Sequence, residues 1–174
     1  MRSIPDPGFA DDDGAADPAV AAALAAYDDA GPDEPSAHLE ALAAIQDSRL
    51  LVPVVAMLDE LEVPDDGLPR EKSSDMAAVL MTGRDGRTAL LAFTGKINLD
   101  RWATSYAGGE ARPVPVPARQ AAAAALQDNA SALLVDLAGP VLFVIEDENL
   151  RSLAAGHRLL RTEEGWAWVR SAGS

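Results

Sequence analysis

Apolar positions along the chain change period several times, and each change marks an element. Val20, Leu24 and Tyr27 recur at helical spacing behind Asp17-Pro18, a capping residue followed by proline at the first helical position. They predict a short amphipathic helix ending near Gly31-Pro32. A second helix is expected from Ser36, with Leu39, Leu42, Ala43 and Ile45 on its apolar side, ending near Arg49. From Leu50 the period shortens, and Leu50-Leu51-Val52-Pro53-Val54-Val55-Ala56 reads as a strand. Its proline predicts an edge position.

The acidic stretch from Asp59 to Lys72, broken by Pro64, Gly67 and Pro69, is expected as a loop. Met76 to Thr82 and Arg87 to Phe93 then flank Gly83-Arg84-Asp85-Gly86, a hairpin signal. Asn98 is placed to cap a helix with Leu99, Trp102 and Tyr106 on one face, stopped by Gly108-Gly109. Alternate prolines hold Arg112 to Pro117 extended, because each fixes its own backbone and disfavours helix in the residue before it. A helix from Ala118 to Gln127 carries five consecutive alanines, a surface that admits close approach. Strands follow at Ala132 to Leu137 and Val141 to Ile145 around the Gly139-Pro140 turn. A helix from about Glu148 stops at Gly156, and His157 to Arg161 with Trp166 to Arg170 form a closing hairpin.

Strands arriving partly in hairpins favour an α+β domain over a doubly wound sheet. The expected fold is a single domain with a mixed, hairpin-containing β-sheet covered by short helices, plus an N-terminal helical arm. Residues 1–17 read as an acidic disordered tail, 18–49 as the arm and 50–174 as the α+β domain. The Ala-rich faces of the arm leave open whether it packs on the body or pairs with a partner.

Composition narrows the function classes. The chain has 174 residues and no cysteine, which excludes a disulfide framework, a thiolate metal site and a cysteine nucleophile. Its net charge of −14 is uneven: 17 acidic and 4 basic residues fall before Ser74, against 11 and 10 from there on. Such a chain repels phosphate backbones, so no nucleic-acid partner is expected, whereas a protein partner is. The first residues lack a signal-peptide pattern and no apolar run reaches the ~20 residues of a membrane helix, so the chain is read as cytoplasmic, with no membrane role.

Catalytic and metal readings are weaker than their structural alternatives. His38 and His157 have no local nucleophile and orienting acid beside them, and surface or capping roles account for both. Glu146-Asp147-Glu148 offers oxygen ligands, but its spacing matches no calcium loop and acids favour the start of the next helix anyway. Gly83 to Thr88 lacks the lysine and following helix of a phosphate loop. Trp102 and Tyr106 would form a contact surface with Thr94 and Lys96, or else pack their helix on the sheet, and one-faced aromatic spacing favours packing. Trp166 and Trp168 share one strand face and are expected to cover core.

Four segments in this order carry a resemblance: Leu51-Val52-Pro53-Val54, Ala89-Leu90-Leu91-Ala92-Phe93-Thr94, the Leu99/Trp102 helix, and Leu134-Val135-Asp136-Leu137-Ala138-Gly139-Pro140. The chain resembles the N-terminal domain of the SseB family, the bacterial proteins named for enhanced serine sensitivity, from about Leu50 to Leu153. Family members show a Phe-Thr-Ser step where this chain has Phe93-Thr94-Gly95, and a Val-Asn-Pro-Ala-Gly-Pro-like turn where it has Val135 to Pro140 with Asp136 and Leu137 substituted. The resemblance implies no assigned reaction, and the family name points only loosely toward amino-acid tolerance. The expectation is a non-enzymatic protein-interaction or regulatory module without cofactor or metal. The alternative is a domain for a small, amino-acid-like metabolite. Thr94, Lys96, Trp102, Asp136, Gly139 and Pro140 are the expected partner or ligand contacts.

Overall fold

The computed structural model describes residues 12–57, 75–106 and 110–170. The acidic loop expected from Asp59, the Gly108-Gly109 stop and residues 1–11 lie outside the described residues. Helix α1 (Pro18–Ala30) begins as its sequence predicts, with the Asp17 carboxylate accepting from the Ala19 N–H at 2.8 Å and proline in the first turn. Helix α2 (Pro35–Gln46) follows. Val20 and Leu24 of α1, with Ala41, Leu42 and Ile45 of α2, join Leu50, Leu90, Leu133 and Phe143 in one buried core. The helices expected as an arm therefore pack on the body.

Two sheets carry most of the strands. Strand β1 (Arg49–Met57) lies between β2 (Asp75–Ala78) and β5 (Arg112–Pro117), antiparallel to both. The second sheet has the order β3-β4-β6-β7, formed by β3 (Leu80–Thr82), β4 (Thr88–Ala92), β6 (Ala132–Val135) and β7 (Phe143–Glu146). Its β4 and β6 are parallel and its other pairs antiparallel, so the sheet is mixed as expected. Strands β8 (Arg158–Thr162) and β9 (Gly165–Val169) form the closing hairpin.

The edge position expected for the Pro53 strand is corrected: β1 is central in its sheet. Leu51 exchanges both backbone bonds with Phe93, at 2.7 and 2.8 Å, so it turns its polar groups away from β5. Pro53, two residues on, turns the same way. Its carbonyl accepts from Val79 N–H at 3.1 Å, while the Val79 carbonyl that a non-proline donor would have met takes the Leu91 N–H at 3.2 Å. Proline is tolerated in a central strand because its neighbour leaves for the other sheet at that step. Between β2 and β3 the chain thus crosses from one sheet to the other at Val79.

Helix α4 (Ala118–Gln127) presses Ala118, Ala121, Ala122 and Ala125 into the core with no exposure, which is what its alanine run permits. Helix α5 (Asp147–Ala154) buries Leu150 and Leu153 beside it. Helix α3 (Lys96–Ala103) follows β4 and buries Leu99 and Trp102 against Phe93, Leu91 and Leu51 in a second core on the opposite sheet face. Its cap is Gly95, not Asn98 as the sequence suggests; Asn98 sits inside the first turn and is buried.

Residues 12–17, read from sequence as tail, run along the body. Arg49 holds them: its guanidinium meets the Asp12 carboxylate, the Thr94 carbonyl and, at 2.7 Å, the Ala15 carbonyl. A strap of this kind needs a long-range cation, and Arg49 supplies it from the start of β1.

Candidate functional site

The parallel pair β4 and β6 brings Thr94 and Asp136 together beyond its carboxyl ends. Asp136 has φ +60°, a left-handed conformation that Asp and Asn tolerate better than most residues. There its N–H donates to the Ala92 carbonyl at 3.0 Å, and its carboxylate turns toward β4. Thr94 donates its N–H at 2.8 Å and its hydroxyl at 2.6 Å to the two carboxylate oxygens. The Asn98 side chain lies on the same carboxylate and favours its charged form. Burial pushes the Asp136 carboxyl above the usual carboxylate range, and the Thr94 bonds and the Asn98 side chain partly oppose that rise.

Gly139 closes this polar node. A Cβ there would lie 3.1 Å from Asn98 Cγ and 3.1 Å from Asp136 Cβ, so only glycine fits without displacing them. Pro140 follows in an exposed position. Thr94 and Asp136 are 4% and 2% exposed, and no buried side-chain polar atom among the described residues lacks a partner. The node is a clasp between strands, with its hydrogen-bonding capacity turned inward.

The other expected contacts separate from it. Lys96 is exposed and paired with Asp100 at 2.7 Å, while its N–H donates to the Gly14 carbonyl of the strap. Trp102 is 5% exposed, between Phe93 and a stacked Tyr106 at 4.6 Å, so packing accounts for it. His38 is structural too: its Nε2 lies 2.9 Å from the Val144 carbonyl, which can only accept, so Nε2 carries the proton. The same ring stacks on Phe143. Trp166 and Trp168 pack against the main core, and Trp168 donates to Asn149 at 3.0 Å. Among the described residues no three His, Asp or Glu side chains gather to hold a metal.

A surface absent from the sequence reading lies on the outward face of the four-stranded sheet. Register places Met81 beside Ala89, Ala89 beside Ala132, and Leu134 beside Val144. These side chains floor a groove of about 340 Å³. Asp85, Arg87 and Glu146 stand around it, with Arg87 paired to Asp85 at 3.0 Å and reaching Glu146 at 3.9 Å. The signal was present in the sequence: β6 is apolar at both parities and Val144 extends its outward side on β7, so part of a second sheet face had to be apolar as well.

The edges of the sheets differ. On β5, Pro113 and Pro115 stand opposite Pro53 and Leu51, positions that turn away from β5, so the prolines fall where an N–H would point outward. On β7, His38 takes the outward Val144 carbonyl. On β3, the Leu91-to-Val79 and Gly83-to-Arg87 bonds leave Leu80 and Thr82 facing away from β4, and no described residue bonds to them. Leu80 and Met81 are 40% and 37% exposed there, and Met76 on β2 is 46% exposed.

A family model described as SseB protein N-terminal domain matches residues 20–152. The match begins inside α1 and so takes in both N-terminal helices, which a resemblance confined to Leu50–Leu153 leaves out. No curated protein and no solved structure matches the chain.

Proposed function

The chain belongs to the SseB family through its N-terminal domain, and on that footing we propose that it is a non-enzymatic protein-interaction module that adds a partner's extended segment to the free edge of β3. The observation that carries this reading is the outward edge of Leu80 and Thr82, to which no described residue bonds, running beside the apolar groove of Met81, Ala89, Ala132, Leu134 and Val144. An added strand gains backbone hydrogen bonds from such an edge, and pockets beside it select alternate side chains. Exposed apolar surface continuous with an open edge is costly to leave bare. The alternative of a small metabolite held near Thr94, Lys96 and Gly139 has less support, since the Thr94–Asp136 node is buried and already satisfied from within and the Lys96 ammonium is paired with Asp100.

Thr82→Pro tests the reading directly. The Thr82 N–H points outward, so proline there removes no bond to β4 while blocking a strand from docking. A photo-crosslinking residue placed at Met81 should capture a partner in cells in the otherwise natural chain and lose it with Thr82→Pro, with the circular dichroism unchanged. Equal capture by both proteins would overturn strand addition. So would equal capture from a control crosslinker at Gln127, on the exposed side of α4.

A further inference from the structure

A second concavity, remote from the β3 edge, has the opposite character. The end of α2, the start of β1, the start of α4 and the turn after α5 enclose about 360 Å³ lined by Asp47, Ser48, Arg49, Arg119, His157 and Arg158 among others. In a chain of net charge −14, three arginines and one of its two histidines converge here against a single aspartate. Long-range steering by the rest of the chain repels anions, so a local excess of guanidinium groups stands out against its surroundings.

The arginines are not equivalent. Arg49 is consumed by the strap, bound to Asp12 and to backbone carbonyls. Arg158 grips Asp47 through two bonds, at 2.7 and 3.0 Å, which neutralises the one acid of the cleft. Arg119 makes no hydrogen bond or ion pair with any described residue, and the His157 ring likewise has no side-chain partner among them. Arg119 also sits in the first turn of α4, whose cap position is Pro117 and supplies no side-chain acceptor. A planar guanidinium offers paired donors that match a carboxylate or phosphate fork.

We propose that this cleft binds the oxyanion group of a small molecule, a phosphoryl or carboxylate group, with Arg119 as its principal contact and His157 beside it. The volume suits a metabolite-sized ligand, and the neutralised Asp47–Arg158 pair forms one wall without repelling the anion. The site is independent of the β3 edge, so either can fail while the other stands.

The test is thermal unfolding of the full chain at fixed ionic strength, replacing sodium chloride stepwise with inorganic phosphate or with succinate. The expected result is a saturable rise in Tm with at least one of them. Arg119→Ala should weaken the apparent affinity about tenfold or more, the loss of one charge-assisted contact, and Arg119→Lys should recover part of it. Arg84→Ala, on the hairpin, should behave as the unsubstituted protein. Saturation with phosphate alone assigns a phosphoryl ligand, and with succinate alone a carboxylate. No rise with either anion, or the same rise in Arg119→Ala, would overturn the proposal. Arg119 is exposed, so its replacement leaves the core intact.

Discussion

The carboxyl ends of β4 and β6 and the outward face of the same sheet solve opposite problems. At the first, polar groups are buried, and each finds its partner inside the protein: Thr94 and Asn98 on Asp136, Gly139 leaving room for both. At the second, apolar side chains and two backbone positions of β3 remain in solvent. Family-like residues mark the first region, yet its chemistry is spent on holding strands together. The second carries no motif and has interaction capacity left over. Unspent capacity is the better guide to function, because a group already satisfied within the fold gains little from a ligand.

The sharpest way to break this contrast is to damage the clasp. Asp136→Ala strands the Thr94 N–H and hydroxyl without their acceptor, and should cost about 2–4 kcal/mol in urea unfolding. A loss below ~0.5 kcal/mol would mean the node is not structural. A subtler change separates charge from geometry. Because the folded Asp136 carboxyl titrates above its unfolded value, the native state holds that proton to higher pH, and stability falls as pH rises from about 3.8 through the folded value. Asp136→Asn keeps the shape, suits the left-handed backbone and has no proton to lose. The difference in stability between Asn and Asp proteins should therefore grow over that interval and level off above it. Asp12, held low by Arg49, gives the opposite slope in both proteins and cancels in the difference. The smallest effect belongs to the groove: Met81→Lys should change stability by no more than about 0.5 kcal/mol, measured in the same urea series. A large loss there would show that Met81 is a core residue and that the groove is not free.

Much of the fold was legible in the chain. The Asp17-Pro18 start, both hairpins, the proline strand and the bounds of α4 follow from local chemistry, which sequence states directly. What was not legible depended on distant partners. Pro53 argues for an edge only if its missing N–H faces a neighbour that needs it, and Val79 turns to Leu91 instead. Asn98 is a capping residue by type, but Asp136 arrives from across the sheet and claims it. The Asp12–Arg49 pairing joins residues 37 apart, beyond any local pattern, so the strap read as free tail. At the candidate site, the structure brings Thr94, Asp136 and Gly139 together and leaves Lys96 and Trp102 apart from them. Nothing local, however, distinguishes a polar cluster facing a ligand from one facing itself. Burial decides that, and burial is a property of the assembled chain.

The alternating prolines of β5 have a consequence for how the molecule can assemble. If β3 receives an extended segment, the opposite border of its own sheet is β7, where His38 already takes the Val144 carbonyl, and the neighbouring sheet ends at β5, whose outward donors are missing at every second residue. A copy that offered its β5 to the β3 of another would bring prolines where donors are needed, so head-to-tail growth through that pair of edges is disfavoured.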